Sequence, residues 1–303
     1  MLSVVLTIYN YEQFVTEAIN SVLAQDFSDF EIIAVDDGSQ DSSWEKINMI
    51  RDPRLKCIQQ KNNGQLSAFA TGIKHSCGDI ICFMDADDLY PPGYLRTVNQ
   101  CFQKYPDCGF LFTSVKYFGQ KEELCRLYEQ TSRIGNHGFS AALIHLWIGA
   151  PTSACAVRTH FAKRIFPLKA CEAEWKTRAD DILIWGADIV GCMKYFTPET
   201  FVLYRVHSNN CFFNKAQLTA IEKKKRSEAA VKACWYIRRK NGLSLSSLCK
   251  KEIQNRTYPW RITLLAYIKF LRSWQKEKHF LAECLKCFLL IIKSIFADKK
   301  ICK

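Results

Sequence analysis

Asp85 and Asp87 stand one residue apart, directly after the apolar run Asp79-Ile80-Ile81-Cys82-Phe83-Met84. Such a run reads as a buried strand, and alternate residues of a strand share a side, so the two carboxylates are expected together at its end. Paired carboxylate oxygens suit a hard divalent cation that also touches phosphate, and that cation would neutralise charge on a departing diphosphate. A second acidic turn, Asp36-Asp37-Gly38-Ser39, follows the apolar run Phe30-Glu31-Ile32-Ile33-Ala34-Val35, and the polar set Thr7-Ile8-Tyr9-Asn10 closes the first apolar run. Taken singly, each is also an ordinary turn or cap. Asp180-Asp181, ahead of Ile182-Leu183-Ile184-Trp185, stands where acidic residues cap a helix and complement its dipole. Arg205 and His207 follow another apolar run and lead into Ser208-Asn209-Asn210, a loop that could fold over a diphosphate. Arg205 could pair with phosphate, and His207 with phosphate or metal.

These groups can meet only if the chain folds to bring them together. Residues 3–8 and 30–35 read as strands around a helix at 11–25, a βαβ opening. A strand at 55–59, a helix at 65–76 and the strand at 79–84 continue it, and a helix at 93–104 and a strand at 109–117 follow. After a less regular stretch to about residue 150, a strand at 153–157, a helix at 181–190 and a strand at 201–205 resume the pattern. Alternation of this kind predicts an α/β fold with a mostly parallel sheet wound with helices. Ligands of such sheets bind beyond the carboxyl ends of the strands, where all three polar sets lie. A Gly-x-Ser-x-Gly elbow and a Gly-x-Gly-x-x-Gly fingerprint are both missing, which disfavours a serine hydrolase and a dinucleotide enzyme.

The 303 residues, 48% of them apolar, suffice for one such domain and an appendage. Fifteen scattered cysteines form no disulfide framework and read as reduced thiols of a cytosolic protein. Charge divides the chain. Residues 215–303 hold 22 Lys/Arg against 6 Asp/Glu, net +16, and residues 1–214 hold 20 against 24, net −4. The division predicts a catalytic unit at 1–214 and a basic helical extension at 215–303. Within the extension Phe280, Leu281, Cys284, Leu285, Phe288, Leu289, Ile292, Ile295 and Phe296 recur at helical spacing. Tyr258, Trp260, Tyr267, Phe270 and Trp274 interleave with Arg256, Arg261, Lys269 and Arg272. That mixture suits either the surface of an anionic membrane or a helical cap with a solvated basic face. No nucleic-acid motif is present, and no nucleic-acid partner is expected. The longest uninterrupted apolar run, Cys287 to Ile292, is far too short to cross a bilayer, and no signal peptide is expected.

Four segments taken in order resemble a known family: residues 3–10, residues 18–25 (Ala-Ile-Asn-Ser-Val-Leu-Ala-Gln), residues 30–39 and residues 78–88. The chain is similar there, and more loosely to about residue 210, to the family 2 glycosyltransferases, inverting enzymes of the GT-A fold. The resemblance implies a nucleotide-diphosphate sugar donor, UDP-linked, and Mn2+ or Mg2+ as cofactor. It implies that Thr7, Tyr9 and Asp37 hold the nucleotide base, that Asp85 lies toward ribose and metal, and that Asp87 ligates the metal, with His207 beside it. Lys61-Asn62-Asn63-Gly64-Gln65 matches the family's glycine-rich segment that closes on the donor, bringing Gln65 to the nucleotide sugar. Ala70 departs from the asparagine many relatives carry there. The general base is implied at Asp180, with Asp181 in reserve, and Ala179 stands where the family's glutamate usually sits. Sugar and acceptor choice would fall to residues 119–175. The reading is a transferase building cell-surface polysaccharide on a glycan or lipid-linked acceptor, at the cytoplasmic face of a membrane. The alternatives are a GT-A-like module that binds without turnover, or an adaptor acting through its basic tail.

Overall fold

The computed structural model describes residues 1–208, 219–255, 261–272 and 280–301. The chain opens with β1 (Leu2–Ile8), α1 (Val15–Leu23), β2 (Phe30–Asp36), α2 (Ser43–Met49), β3 (Leu55–Gln59), α3 (Gln65–His75) and β4 (Ile80–Asp85). It continues with α4 (Tyr94–Lys104), β5 (Cys108–Gly119), β6 (Glu123–Cys125), β7 (Ser132–Gly135) and α5 (Gly138–Ile144). A 3-10 turn at Thr152–Ala154 leads into β8 (Cys155–Arg158), then α6 (Thr159–Ile165), α7 (Ala179–Val190) and β9 (Met193–Val206). The sheet order is β3-β2-β1-β4-β8-β5-β9-β7, with β6 paired to β5. β8 runs antiparallel to β4 and β5, and β7 to β9, while the β1, β2, β3 and β4 pairings and β5 with β9 are parallel. The mostly parallel α/β fold is as expected, and β1 is buried at every position, as a strand covered on both faces must be.

Register sets where the polar residues meet. Ile8 lies opposite Asp36, and Thr7 opposite Asp85, so three parallel strands end at one level. The expected placement of both carboxylates on one strand is corrected. β4 stops at Asp85, and Asp87 lies in the turn that follows, because the chain is drawn off by a bridge between Leu89 and Leu203. α3 packs against β1 at Gly72, where a Cβ would come 2.3 Å from Cγ1 of Val5.

Residues 119–150, read as irregular, carry β6, β7 and α5. The seven-residue helices α2 and α6 were also not anticipated, since two turns give little periodicity. β9 starts at Met193 rather than 201. Its register against β5 jumps from Thr197 to Phe201, so Pro198, which has no N–H to give, stands outside the ladder.

The C-terminal part is helical as expected: α8 (Ala220–Lys240), α9 (Leu245–Asn255), α10 (Arg261–Arg272) and α11 (Phe280–Ile301). α8 opens on a capping box made by Thr219 and Glu222. α9 buries Glu252 completely, and its carboxylate accepts from the Ser140 amide (2.8 Å) and hydroxyl (2.6 Å) and from the Thr263 hydroxyl (2.9 Å). Ile237, Leu248, Cys249, Ala266, Cys287 and Ile291 join the same core as the sheet. The extension is therefore packed on the catalytic part. Leu265, Ile268 and Leu271 of α10 and Leu285, Phe288 and Leu289 of α11 remain exposed. Among the described residues no helix is long and apolar enough to cross a membrane. Asn209, Asn210, Arg256, Tyr258, Trp260 and Trp274, and the side chains of Phe270, Arg272, Phe280, Leu281, Cys284, Ile295 and Phe296, lie outside the described residues.

Candidate active site

The ends of β1, β2 and β4 open onto a cavity of about 1050 Å3. Thr7, Tyr9, Asp37 and Gln65 line one part of it, with Asp85, Asp87, Asp180 and His207 beside them. Thr7 is buried, whereas Tyr9 is 42% exposed and presents its ring at the mouth. Asp37, just past β2, is held by the loop between β3 and α3: Gln60 and the Asn63 amide donate to Oδ1 (2.7 and 3.1 Å), and the Gly64 amide donates to Oδ2 (2.7 Å). A carboxylate offers roughly four acceptor positions, so one remains for an N–H of a bound base. Burial raises the Asp37 carboxyl above its ordinary value, against the pull of those bonds. Thr71 completes the chain by donating to Gln60 at 2.5 Å, one residue beyond the divergent Ala70.

Gly64 has φ +91°, and a Cβ there would fall 2.5 Å from the Lys176 Cα. That close approach lets the start of α3 clip residues 175–178 through bonds from the Gln65 and Leu66 amides to the Lys176 and Trp175 carbonyls. The Gln65 side chain then bridges two site elements. Its Nε2 donates to Asp85 Oδ1 at 2.9 Å, and its Oε1 accepts from the Ala179 amide at 3.0 Å. Gln65 thus lines the cavity while positioning Asp85 and the N-terminus of α7.

Asp88, to which no role was given from sequence, anchors the acidic turn. Ser153 Oγ accepts from the Asp85 amide at 3.0 Å and donates to Asp88 Oδ2 at 2.5 Å, and the Arg205 amide donates to Asp88 Oδ1 at 3.0 Å. Asp87 Oδ2 lies 3.0 Å from His207 Nε2. The carboxylates crowd one another. Burial, then Asp87 and Asp180, push the Asp85 carboxyl up to about 8; burial and Asp87 and Asp85 raise Asp88 well above its ordinary value. Burial, then Asp181, push Asp180 up to about 6, with Arg178 opposing. A low-dielectric wall bearing this much negative charge favours a cation.

Two expected site residues are placed elsewhere. Arg205 is not among the cavity-lining residues; its Nε donates to the Asp87 carbonyl at 2.8 Å, its Nη2 meets Glu17 at 2.5 Å, and it stacks on Phe14 and Phe118. It braces the acidic turn instead of facing a phosphate. Asp181 is also outside the lining and 1% exposed, with Arg178 on one oxygen (3.0 Å) and Arg226 on the other (2.7 Å). Of the two aspartates only Asp180 faces the cavity. Lys176, Arg178 and Arg126 add positive charge to the wall, and Trp147, Tyr117 and Leu127 add aromatic and apolar surface. Arg126, Leu127 and Trp147 lie within residues 119–175, the segment expected to read sugar and acceptor.

A mostly parallel α/β sheet with an acidic turn beyond its fourth strand is an arrangement of the GT-A type. The family model described as Glycosyl transferase family 2 matches residues 3–164, and the chain belongs to that family and is a glycosyltransferase. An uncharacterized glycosyltransferase of Nostoc sp. is 31% identical over 235 residues, which are 76% of this chain and 72% of that one. One from Haemophilus influenzae is 26% identical over 242 residues, 75% of this chain and 72% of the other. The crystal structure of S. aureus TarS 1-349 in complex with UDP-GlcNAc is similar in fold, with TM-score 0.60 and 18% identity, covering 98% of this chain and 92% of that one. The family match ends before Asp180 and His207, so these two rest on their geometry.

Proposed function

We propose that the protein is a metal-dependent, inverting glycosyltransferase that moves a sugar from a UDP-linked donor to a glycan or lipid-linked acceptor in cell-surface polysaccharide assembly. The observation that carries this reading is the convergence of Asp37, Asp85, Asp87 and Asp180 on one cavity. The UDP-GlcNAc held by the TarS neighbour supports the class of donor. Thr7, Tyr9 and Asp37 receive the base, with Asp37 accepting from an N–H. Asp85 and Asp87, with His207 at hand, would hold Mn2+ or Mg2+, an oxygen-rich set with one nitrogen. Among the described residues no three His, Cys, Asp or Glu side chains enclose a cation by themselves, so diphosphate oxygens would complete its shell. When bound, the cation supplies charge neutralisation to the leaving diphosphate.

Asp180 takes the proton of the acceptor hydroxyl as that oxygen bonds to the anomeric carbon and the bond to the diphosphate oxygen breaks, with inversion. Its raised carboxyl keeps it a competent acceptor near neutral pH. The exposed apolar residues of α10 and α11, among the basic residues of the extension, support peripheral attachment at the cytoplasmic face of an anionic membrane. The test is UDP release from a panel of UDP sugars with Mn2+, Mg2+ or EDTA. Release from one donor that EDTA abolishes is expected; release untouched by EDTA would remove the metal, and silence across the panel would remove the UDP donor.

A further inference from the structure

The base-bearing turn of α7 is gripped from outside the family match. Arg226, in α8, places Nη2 2.7 Å from Asp181 Oδ2, and Arg178 places Nη2 3.0 Å from Oδ1 of the same carboxylate. Asp181 is 1% exposed, so neither oxygen has water as a substitute partner. Six residues along α8, Lys232 pairs with Glu174. Both contacts land on the segment that supplies Lys176, Thr177, Arg178 and Asp180 to the cavity wall. Arg178 itself sits at the N-cap of α7 with φ 63°, a left-handed backbone that a non-glycine residue holds only when its surroundings impose it. On the other side Gln65 holds the Ala179 amide. The turn is thus pinned from α3 at its backbone and from α8 at the Asp181 side chain.

We propose that Arg226 is a positioning residue for glycosyl transfer: with Arg178 it clamps Asp181 and so fixes the first turn of α7, holding Asp180 against the cavity. This rests on reading Asp180 as the base. A buried ion pair adds little net stability, but losing one partner leaves a charge that must find another. The cheapest relief for Asp181 is a rotation of the first turn of α7, and that turn carries Asp180. A shift of about 1 Å in a reacting group can lower the rate roughly 100-fold. The extension thereby contributes to the chemistry without reaching the substrate.

The test uses the full-length protein and four variants: Arg226→Met, Arg226→Lys, Asp181→Asn and the Arg226→Met, Asp181→Asn double. With Mn2+ and the UDP sugar that wild type consumes, Arg226→Met should lower kcat about tenfold or more while donor KM and UDP affinity hold. Arg226→Lys should recover most of the rate. In the Asp181→Asn background Arg226→Met should change nothing further. An unchanged kcat, a loss confined to KM, or effects that multiply in the double variant would overturn the proposal. Amide hydrogen exchange is read in parallel, with faster exchange expected over residues 175–182 and none in β1 or β2. Unaltered exchange there also overturns it. Should wild type release no UDP from any sugar, the functional reading fails, and the exchange measurement still decides the clamp. If Arg226→Met does not fold, Arg226→Lys and Asp181→Asn carry the comparison.

Discussion

At the scale of single residues, the site separates groups that face a ligand from groups that hold those groups in place. Asp87 lines the cavity, 5% exposed, among carboxylates that crowd one another. Asp87→Ala should abolish metal-dependent UDP binding and, since it relieves that crowding, leave the melting temperature within a few degrees, measured by calorimetry and thermal unfolding. Retained metal-dependent affinity would take Asp87 out of the site. Asp180→Asn should keep donor binding and lose transfer, since the amide preserves shape and cannot take a proton. The same residue sets a pH dependence. Asp180 must be ionised to accept a proton, and its carboxyl is pushed up to about 6 in the free protein, so kcat/KM should fall about tenfold per unit below that pH and level off above it. An acid limb unchanged by buried neighbours, centred near an ordinary carboxyl, would contradict this assignment. Asp88 and Arg205 belong to the supporting group, and Gln65 both lines the cavity and supports it, so removal of any of the three should displace the acidic turn or α7.

At the scale of elements, the site depends on how closely α3 lies on β1 and how firmly α7 is held. Gly72→Val would drive a branched side chain into Val5, whose Cγ1 lies 2.3 Å from where even a Cβ would stand. Overpacking of this kind destabilises by roughly 1–3 kcal/mol or more, so a fall in the denaturation midpoint is expected. No change in midpoint would show that α3 can move away from the sheet without loss. The extension is a second such element. Cutting the chain after residue 214 removes Glu252 from the Ser140 amide and Arg226 from Asp181, and uncovers α5 and α7. The shortened chain should lose cooperative unfolding or aggregate. A soluble, cooperatively folding, active 1–214 fragment would support the two-unit division drawn from charge.

At the scale of the whole molecule, the separation of charge, +16 after residue 214 against −4 before it, coincides with two helices that leave apolar residues uncovered. Each Lys or Arg near an anionic surface contributes about 1 kcal/mol, screened by salt. Liposomes rich in anionic lipid should float with the protein at low salt and release it at high salt. Phe288→Asp with Leu285→Asp, both on the exposed side of α11, should weaken flotation without altering UDP release. Protein that stays wholly soluble at low salt would leave the extension as a packed cap alone. The buried half of that extension, with Glu252 and Cys287, already shows that packing and basic charge coexist on the same helices.

The sequence by itself determined the alternation of strands and helices, because apolar runs and turn residues are local signals. It also determined which three strand ends carry Thr7, Asp37 and Asp85, since the order of segments follows directly from it. It did not reach the short elements α2, α6, β6 and β7, where too few residues exist to express a period. Only the tertiary structure shows that Asp180 lines the cavity and that Asp181 does not. Adjacent on the chain, they differ in which partners come from distant segments: the cavity for one, Arg178 and Arg226 for the other. The hydrogen-bond partners of Arg205 and Gln65 likewise lie on other elements and are visible only in the fold. Spacing along a chain reveals which side chains an element carries, whereas a carboxylate's partners are set by packing between elements, and packing is what the sequence leaves unwritten.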